Sequence, residues 1–303
     1  MPKRHPLLAG AGALCLVATS ACSVAERVTS GAEAEPVRIA MPDWPGGQAN
    51  AAVAAHVLRT ELGVDAVTWP VDQATAWDAI GSGSVQAILE DWGALPEETE
   101  LHVERRRDVV DAGGLGITGH VGWFVPAGFA EAHPRALRWD QLNDFADLLG
   151  GRILQGDPQY ATRDETIIEE LGLDLRTVAA GSEDALVEEI YEAGTGGAPL
   201  LTYFWQPHWL ATEVELTEVP LPGYYPRIDL RKYLNADFAA DGGPAAAFLR
   251  NFSWTADDQN TVAELIANEG LSPDAAAAQW VADHPDTVAT WLPDTDTDAE
   301  TDG

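Results

Sequence analysis

Val37-Arg38-Ile39-Ala40-Met41, Ala66-Val67-Thr68-Trp69-Pro70-Val71 and Val85-Gln86-Ala87-Ile88-Leu89 are the runs that decide the fold. Each is short and rich in apolar or β-branched residues, and each reads as a strand. Between them lie Ala49 to Leu62, an alanine-rich segment halted before Gly63, and Asp72 to Ile80, which ends at Gly81-Ser82-Gly83. Both segments predict helices. Strand and helix therefore alternate, which calls for a parallel sheet with helices on both faces. In such sheets ligands sit beyond the carboxyl ends of the strands. Trp44, in the turn-rich Pro42–Gly47 loop, and Trp92, after Glu90-Asp91, both fall at such ends.

Outward from this unit the pattern repeats. Ala112 to Pro126 reads as an extended crossing and Gln141 to Leu149 as a helix. Arg152-Ile153-Leu154 is a strand stopping at Gln155-Gly156-Asp157-Pro158. Thr162 and Glu165 have the spacing of a capping box opening a helix to Leu171. Ala185 to Ala193 is helical, and Pro199 to Phe204 is a strand feeding Trp205. Val214 to Pro222 returns extended, and helices follow near Ala245–Asn251, Ala256–Asn268 and Pro273–His284. The expected architecture is α/β with two lobes: residues 36–121 plus 216–292 form lobe 1, residues 122–215 form lobe 2, and a ligand cleft between them closes by hinge motion.

Thr202-Tyr203-Phe204-Trp205-Gln206-Pro207-His208-Trp209 concentrates aromatics around a proline. With Trp44 and Trp92 it places tryptophans at the ends of separate strands, as a pocket for a methylated ammonium group requires. Such a cation cannot donate hydrogen bonds, and the indole face is the strongest aromatic attractor for it. Tyr160, after Asp157-Pro158, is positioned to close one side. The ordinary explanation of a tryptophan is packing, and Trp69, Trp77, Trp139, Trp254, Trp280 and Trp291 are read as core or lobe-packing residues. Trp209 is read as structural and Trp123 as hinge packing. His208 either stabilises its loop or donates to a ligand carboxylate. Asp43 and Asp91 either cap local backbone or lend negative potential to the cleft.

The chain ends carry other signals. Lys3 and Arg4 precede an apolar run from Leu7 to Thr19, too short to span a bilayer comfortably. Residues 1–21 therefore read as an export signal. Ala18-Thr19-Ser20-Ala21-Cys22 resembles the lipobox of bacterial lipoproteins, with Thr19 where Leu is usual. Lipidation of Cys22 would anchor the chain to the outer face of the cell membrane through a tether over residues 22–35, and simple cleavage after Ala21 is the alternative. Residues 293–303 form an acidic tail expected to be disordered. Its Asp-Thr-Asp-Thr-Asp run lacks the glycine and closing glutamate of a calcium loop.

Lysine and arginine number 17 against 49 acidic residues, a net charge of −32. Phosphate contacts need clustered basic side chains, so nucleic acid is excluded as a partner. The acids are spread along the whole chain and read as a solvated surface exposed to salt, with attraction of cations to a cleft as the functional alternative. No nucleophile elbow, metalloprotease helix, phosphate-binding loop or paired-cysteine metal site is present. Neither catalysis, nor a cofactor, nor a metal is expected.

The order of motifs resembles the glycine betaine/choline-binding proteins of bacterial ABC importers, the OpuAC/ProX type. The most specific element is Trp205-Gln206-Pro207-His208-Trp209, similar to the family's Trp-x-Pro-His-Trp block. Gly151-Arg152-Ile153 followed by Asp157-Pro158, Ala180-Gly181-Ser182-Glu183, Asn251-Phe252-Ser253-Trp254-Thr255, Ala275-Ala276-Ala277-Ala278-Gln279-Trp280 and Trp291-Leu292 also fit. The resemblance implies a periplasmic-binding-protein-like fold of type II, and a solute-binding lipoprotein serving an ABC permease and its ATPase. It implies an aromatic cage of Trp44, Trp92 and Trp205, with backbone amides at Gln155 and Gly156 meeting a ligand carboxylate. A member of that family carries Trp-Leu-Pro-x-x-His in the third-strand block, whose His binds the carboxylate. Here Glu97 stands at that spacing, and the nearest histidine is His102. Either another donor takes over, or the ligand lacks the carboxylate, which favours choline or another cationic or neutral osmolyte over betaine. Two alternatives stay open: a binder of another small polar metabolite, and a non-transport surface sensor lipoprotein.

Overall fold

The computed structural model describes residues 35–293. The export signal, Cys22, all of the tether but Glu35 and all of the acidic tail but Pro293 lie outside the described residues. The strands are β1 (Val37–Met41), β2 (Ala66–Pro70), β3 (Ala87–Asp91), β4 (Val109–Pro126), β5 (Arg152–Gln155), β6 (Arg176–Ala179), β7 (Thr202–Gln206), β8 (Leu216–Val219) and β9 (Ile228–Asn235). They form a sheet in the order β2-β1-β3-β9-β4-β7-β5-β6, with β8 also paired to β4. β1 runs parallel to β2 and β3, and β5 runs parallel to β6 and β7, while β9 and β4 insert antiparallel between these two groups. The 18-residue β4 pairs with β9 along its first part and with β7 and β8 along its last.

Each group has its own apolar core. One joins β1, the Pro45–Thr60 helix and the C-terminal helices, and includes Phe248, Phe252, Trp254, Trp280 and Trp291. The other joins the second half of β4 to β5, β7 and the Glu183–Gly196 helix, and includes Trp123, Phe204, Trp205 and Trp209. A smaller cluster around Trp77 and Tyr233 lies under the Gln73–Gly81 helix.

Several elements depart from expectation. The first helix begins at Pro45, not Ala49: Trp44 is its extended N-cap and Pro45 occupies the first turn, where a missing N–H costs nothing. The capping box at Thr162 does not form. The helix starts at Asp164 with Arg163 as N-cap, because the Thr162 hydroxyl instead accepts a hydrogen bond from Gln155 Nε2 at 2.8 Å. Trp139–Phe145 is 3-10 helix, not α-helix. Leu216–Val219, assigned to lobe 1 from sequence, pairs with the Trp123–Pro126 end of β4, on the side of the second core. Trp69, expected to pack, is 46% exposed on the terminal strand β2, where the Arg38 guanidinium sits 5.5 Å from its ring centroid. β9 was not foreseen. Period two places Lys232 on the same face as Leu230 and Leu234, and a fully buried lysine hides the apolar pattern. The Lys232 ammonium donates to the carbonyls of Leu249 (3.1 Å), Arg250 (2.7 Å) and Phe252, and so caps the Gly243–Asn251 helix.

Candidate ligand-binding site

A recess of about 390 Å³, its open mouth included, is lined by Trp44, Gln73, Trp92, Ala94, Tyr160, Ala161, Tyr203 and Trp205. Trp44 follows β1 and Trp92 follows β3, at the carboxyl ends of parallel strands. Trp205 is held in β7 opposite Val121 of β4. Tyr160 comes from the loop after β5 and stands between the two sides. Its ring meets Trp44 at 6.0 Å and 89°, and Trp205 at 5.8 Å and 85°. Tyr203 adds a further face, 6.2 Å from Trp205. Across the recess the Ala161 N–H reaches Gln73 Oε1 at 3.4 Å.

Two glycines let the rings lie where they do. A Cβ on Gly119 of β4 would stand 2.5 Å from Trp92 Cζ3, and one on Gly156 would stand 2.8 Å from Tyr160 Cε2. Gly156 thus seats Tyr160 without itself lining the recess.

Behind Trp44 and Trp92 lies Glu90, which is 8% exposed. Its Oε1 accepts from Trp44 Nε1 at 2.9 Å and from Trp92 Nε1 at 2.6 Å. Its Oε2 accepts from Gln259 Nε2 at 2.6 Å and from Asn50 Nδ2. Asn50 in turn accepts from Trp254 Nε1 at 2.9 Å. Both indoles are therefore pinned by their N–H edges. Burial pushes the Glu90 pKa up to about 6, against the pull of these donors. Sequence reasoning missed Glu90, Asn50 and Gln259 as parts of the site. The available signal was a carboxylate inside the all-buried strand β3.

The other expected residues have different places. Gln155 donates to Thr162 Oγ1 and to the buried Asp164 at 2.6 Å, within the second half of the molecule and not in the recess lining. His208 is buried, and its Nε2 meets Glu183 Oε1 at 3.0 Å while Nδ1 accepts the Leu210 N–H at 3.1 Å. Its ring supports Trp205 from behind, centroids 5.0 Å apart. Glu97 is exposed on the Pro96–Thr99 helix. Asp43, next to Trp44 in sequence, has its pKa raised by desolvation and then by the neighbouring charges of Asp157 and Asp72. The lining itself contains no basic side chain.

Aromatic faces, a neutral lining and acids close behind it can hold a bulky cation and offer little to an anion. The glycine betaine/carnitine transport binding protein GbuC of Listeria monocytogenes is 31% identical over 112 residues, 36% of this chain and only 37% of that protein. The trimethylamine N-oxide-binding protein of Pelagibacter ubique is 25% identical over 295 residues, 86% of this chain and 90% of its own. Lactococcal OpuAC, crystallised closed with glycine betaine, superposes with a TM-score of 0.74 at 20% identity, covering 86% of this chain and all of its own. An ABC-transporter choline-binding protein in complex with choline gives 0.73 at 20% identity, over 84% of this chain and 91% of its own. These structural likenesses establish the two-lobed fold of periplasmic binding proteins. The match to the family described as the substrate-binding domain of the ABC-type glycine betaine transport system spans residues 35–283, and the chain belongs to that family.

Proposed function

We propose that the chain captures a quaternary ammonium osmolyte, glycine betaine, choline or a similar compound, in the recess formed by Trp44, Trp92, Tyr160, Tyr203 and Trp205. The observation that carries this reading is the convergence on one neutral recess of Trp44 and Trp92, from the ends of β1 and β3, with Tyr160, Tyr203 and Trp205 of the second core. As a substrate-binding domain of an ABC importer, the chain works outside the cytoplasm with a permease and its ATPase. Each aromatic face contributes about 0.5–2 kcal/mol to holding the cation. Because Trp44 and Trp92 lie on one side and Trp205 on the other, a bound cation favours the closed arrangement that the permease recognises. Lipidated Cys22 tethers the domain to the membrane. Gln155 and His208 act by supporting the site, with no direct contact to ligand.

Titration with glycine betaine, choline, carnitine and trimethylamine N-oxide, followed by tryptophan fluorescence, tests the ligand class. A response to at least one of them, lost in Trp205→Ala, is expected. A flat response to all of them, or intact binding by the variant, overturns the assignment. Membrane release of Cys22→Ala checks the anchor.

A further inference from the structure

Glu90 is a buried carboxylate whose hydrogen-bond partners are all neutral: two indoles, one from Trp44 and one from Trp92, and two carboxamides, from Asn50 and Gln259. Of the other buried carboxylates, Glu183 on the opposite side has a histidine partner in His208, while Asp164, like Glu90, is held only by neutral donors, from Trp123, Gln155 and Tyr225. Of Glu90 and Asp164, only Glu90 has donors that line the recess, Trp44 and Trp92. Among the described residues no ion pair reaches Glu90. A buried charge normally has a countercharge. The place for one is on the far side of the two indole rings, which is the recess.

We propose that Glu90 is the charge partner of the ligand: it orients Trp44 and Trp92 through their N–H groups and supplies, through those rings, the field that selects a permanent cation over a zwitterion. The inference rests on the ligand reading above and names its selectivity. An indole whose N–H is bound to an anion is polarised so that its face becomes more negative, strengthening its hold on a cation. The same fixed charge acts against a ligand carboxylate, and the lining offers no basic group to offset that repulsion. Desolvation raises the Glu90 pKa to about 6 and so leaves the group ionised at pH 7.5.

The test separates charge from shape. Dissociation constants of the full chain are measured by calorimetry for choline, for 3,3-dimethylbutan-1-ol, whose tert-butyl carbon replaces the ammonium nitrogen, and for glycine betaine. The wild type is expected to prefer choline to both. Glu90→Gln is expected to weaken choline by about tenfold, leave the neutral analogue within about twofold and narrow the gap between choline and betaine. Equal loss for choline and the neutral analogue means that Glu90 is only scaffolding and overturns the inference, as does an unchanged choline affinity. Glu90→Asp keeps the charge. If Glu90→Gln does not fold, the aspartate variant must still retain the choline-to-analogue ratio, and a collapse of that ratio overturns the inference. Failure of the ligand reading is seen separately, as a wild type that binds none of the methylated ammonium compounds.

Discussion

Tyr160 presents its ring to Trp44 at 89°, with centroids 6.0 Å apart, and so links a loop of the second apolar core to the N-cap of the first helix. The same ring meets Trp205 at 85°. Its hydroxyl makes only a long contact, 3.5 Å, with Glu183. Ring and not hydroxyl therefore matters here. Tyr160→Phe is expected to bind ligand within about twofold of wild type. Tyr160→Ala removes one face and should weaken binding by about 0.5–2 kcal/mol. Tryptophan fluorescence titration of both variants checks this, and equal losses in the two would show that the hydroxyl carries the effect.

Burial of Glu90 makes apo stability depend on pH. Its pKa rises from the ordinary 4.5 to about 6, so the folded state binds more protons than the unfolded state between these values. The contribution of Glu90 is thus most favourable below about pH 4.5 and declines as pH rises through 6, by about 2 kcal/mol. Asp91, also raised to about 6 by burial, adds in the same direction. Urea unfolding of apo wild type and Glu90→Gln at pH 5 and 7.5 isolates the part due to Glu90. The wild type should lose stability relative to the variant on going to pH 7.5.

Much of this was legible in the amino-acid order. The alternation from Val37 to Leu89 carried the parallel half-sheet, because strands buried on both faces read as apolar runs. The ends of β1, β3 and β7 marked Trp44, Trp92 and Trp205, since sheet topology fixes where such ends gather. What stayed hidden were buried polar residues. Glu90 follows Ala87-Ile88-Leu89, yet in a chain with 49 acids one more carboxylate reads as surface. Asn50 sits inside an alanine run and Gln259 lies 169 positions from Glu90, so only folding brings the donors to the carboxylate. Gln155 and Gly156 were marked by the family resemblance, for their backbone amides; what the sequence did not show is that the Gln155 side chain is held by Thr162 and Asp164.

His208 holds Glu183 and the Leu210 amide with its two ring nitrogens. Burial, in the absence of that partner, would raise the Glu183 pKa unopposed. His208→Ala leaves a buried carboxylate with only the long contact from the Tyr160 hydroxyl and should destabilise the protein by about 3–5 kcal/mol, a loss visible in thermal unfolding. Ligand affinity should fall less, in proportion to the movement of Trp205, which the imidazole supports.

Lys232 is the counterpart in the first core. Lys232→Met keeps most of the side-chain volume and removes the ammonium from three carbonyls at the end of the Gly243–Asn251 helix. The Leu249 and Phe252 carbonyls lose their donor in a buried setting, a loss of about 1–3 kcal/mol. Stability should fall while ligand affinity holds, because Lys232 does not line the recess. A drop in affinity equal to that of a cage variant would show that this helix end also sets the position of Trp254 and, through Asn50, of Glu90.

Gly119 tests the cage from its backbone side. An added methyl at this position of β4 meets Trp92 Cζ3 at 2.5 Å and Leu230 Cδ2 at 2.8 Å. Leu230 is fully buried in the first core and has little room to yield, whereas Trp92 borders the recess and can swing into it. Gly119→Ala is therefore expected to push the indole toward the ligand space and strain its 2.6 Å bond to Glu90. Overpacking of this kind costs about 1–3 kcal/mol. The larger share should appear in ligand affinity and the smaller in thermal stability, because the ring moves more easily than the strand. Calorimetric titration together with the melting temperature measures the two shares. A variant that melts several degrees lower with unchanged affinity would place the strain in Leu230 and the sheet, and would show that Trp92 does not depend on the bare backbone of β4 for its position.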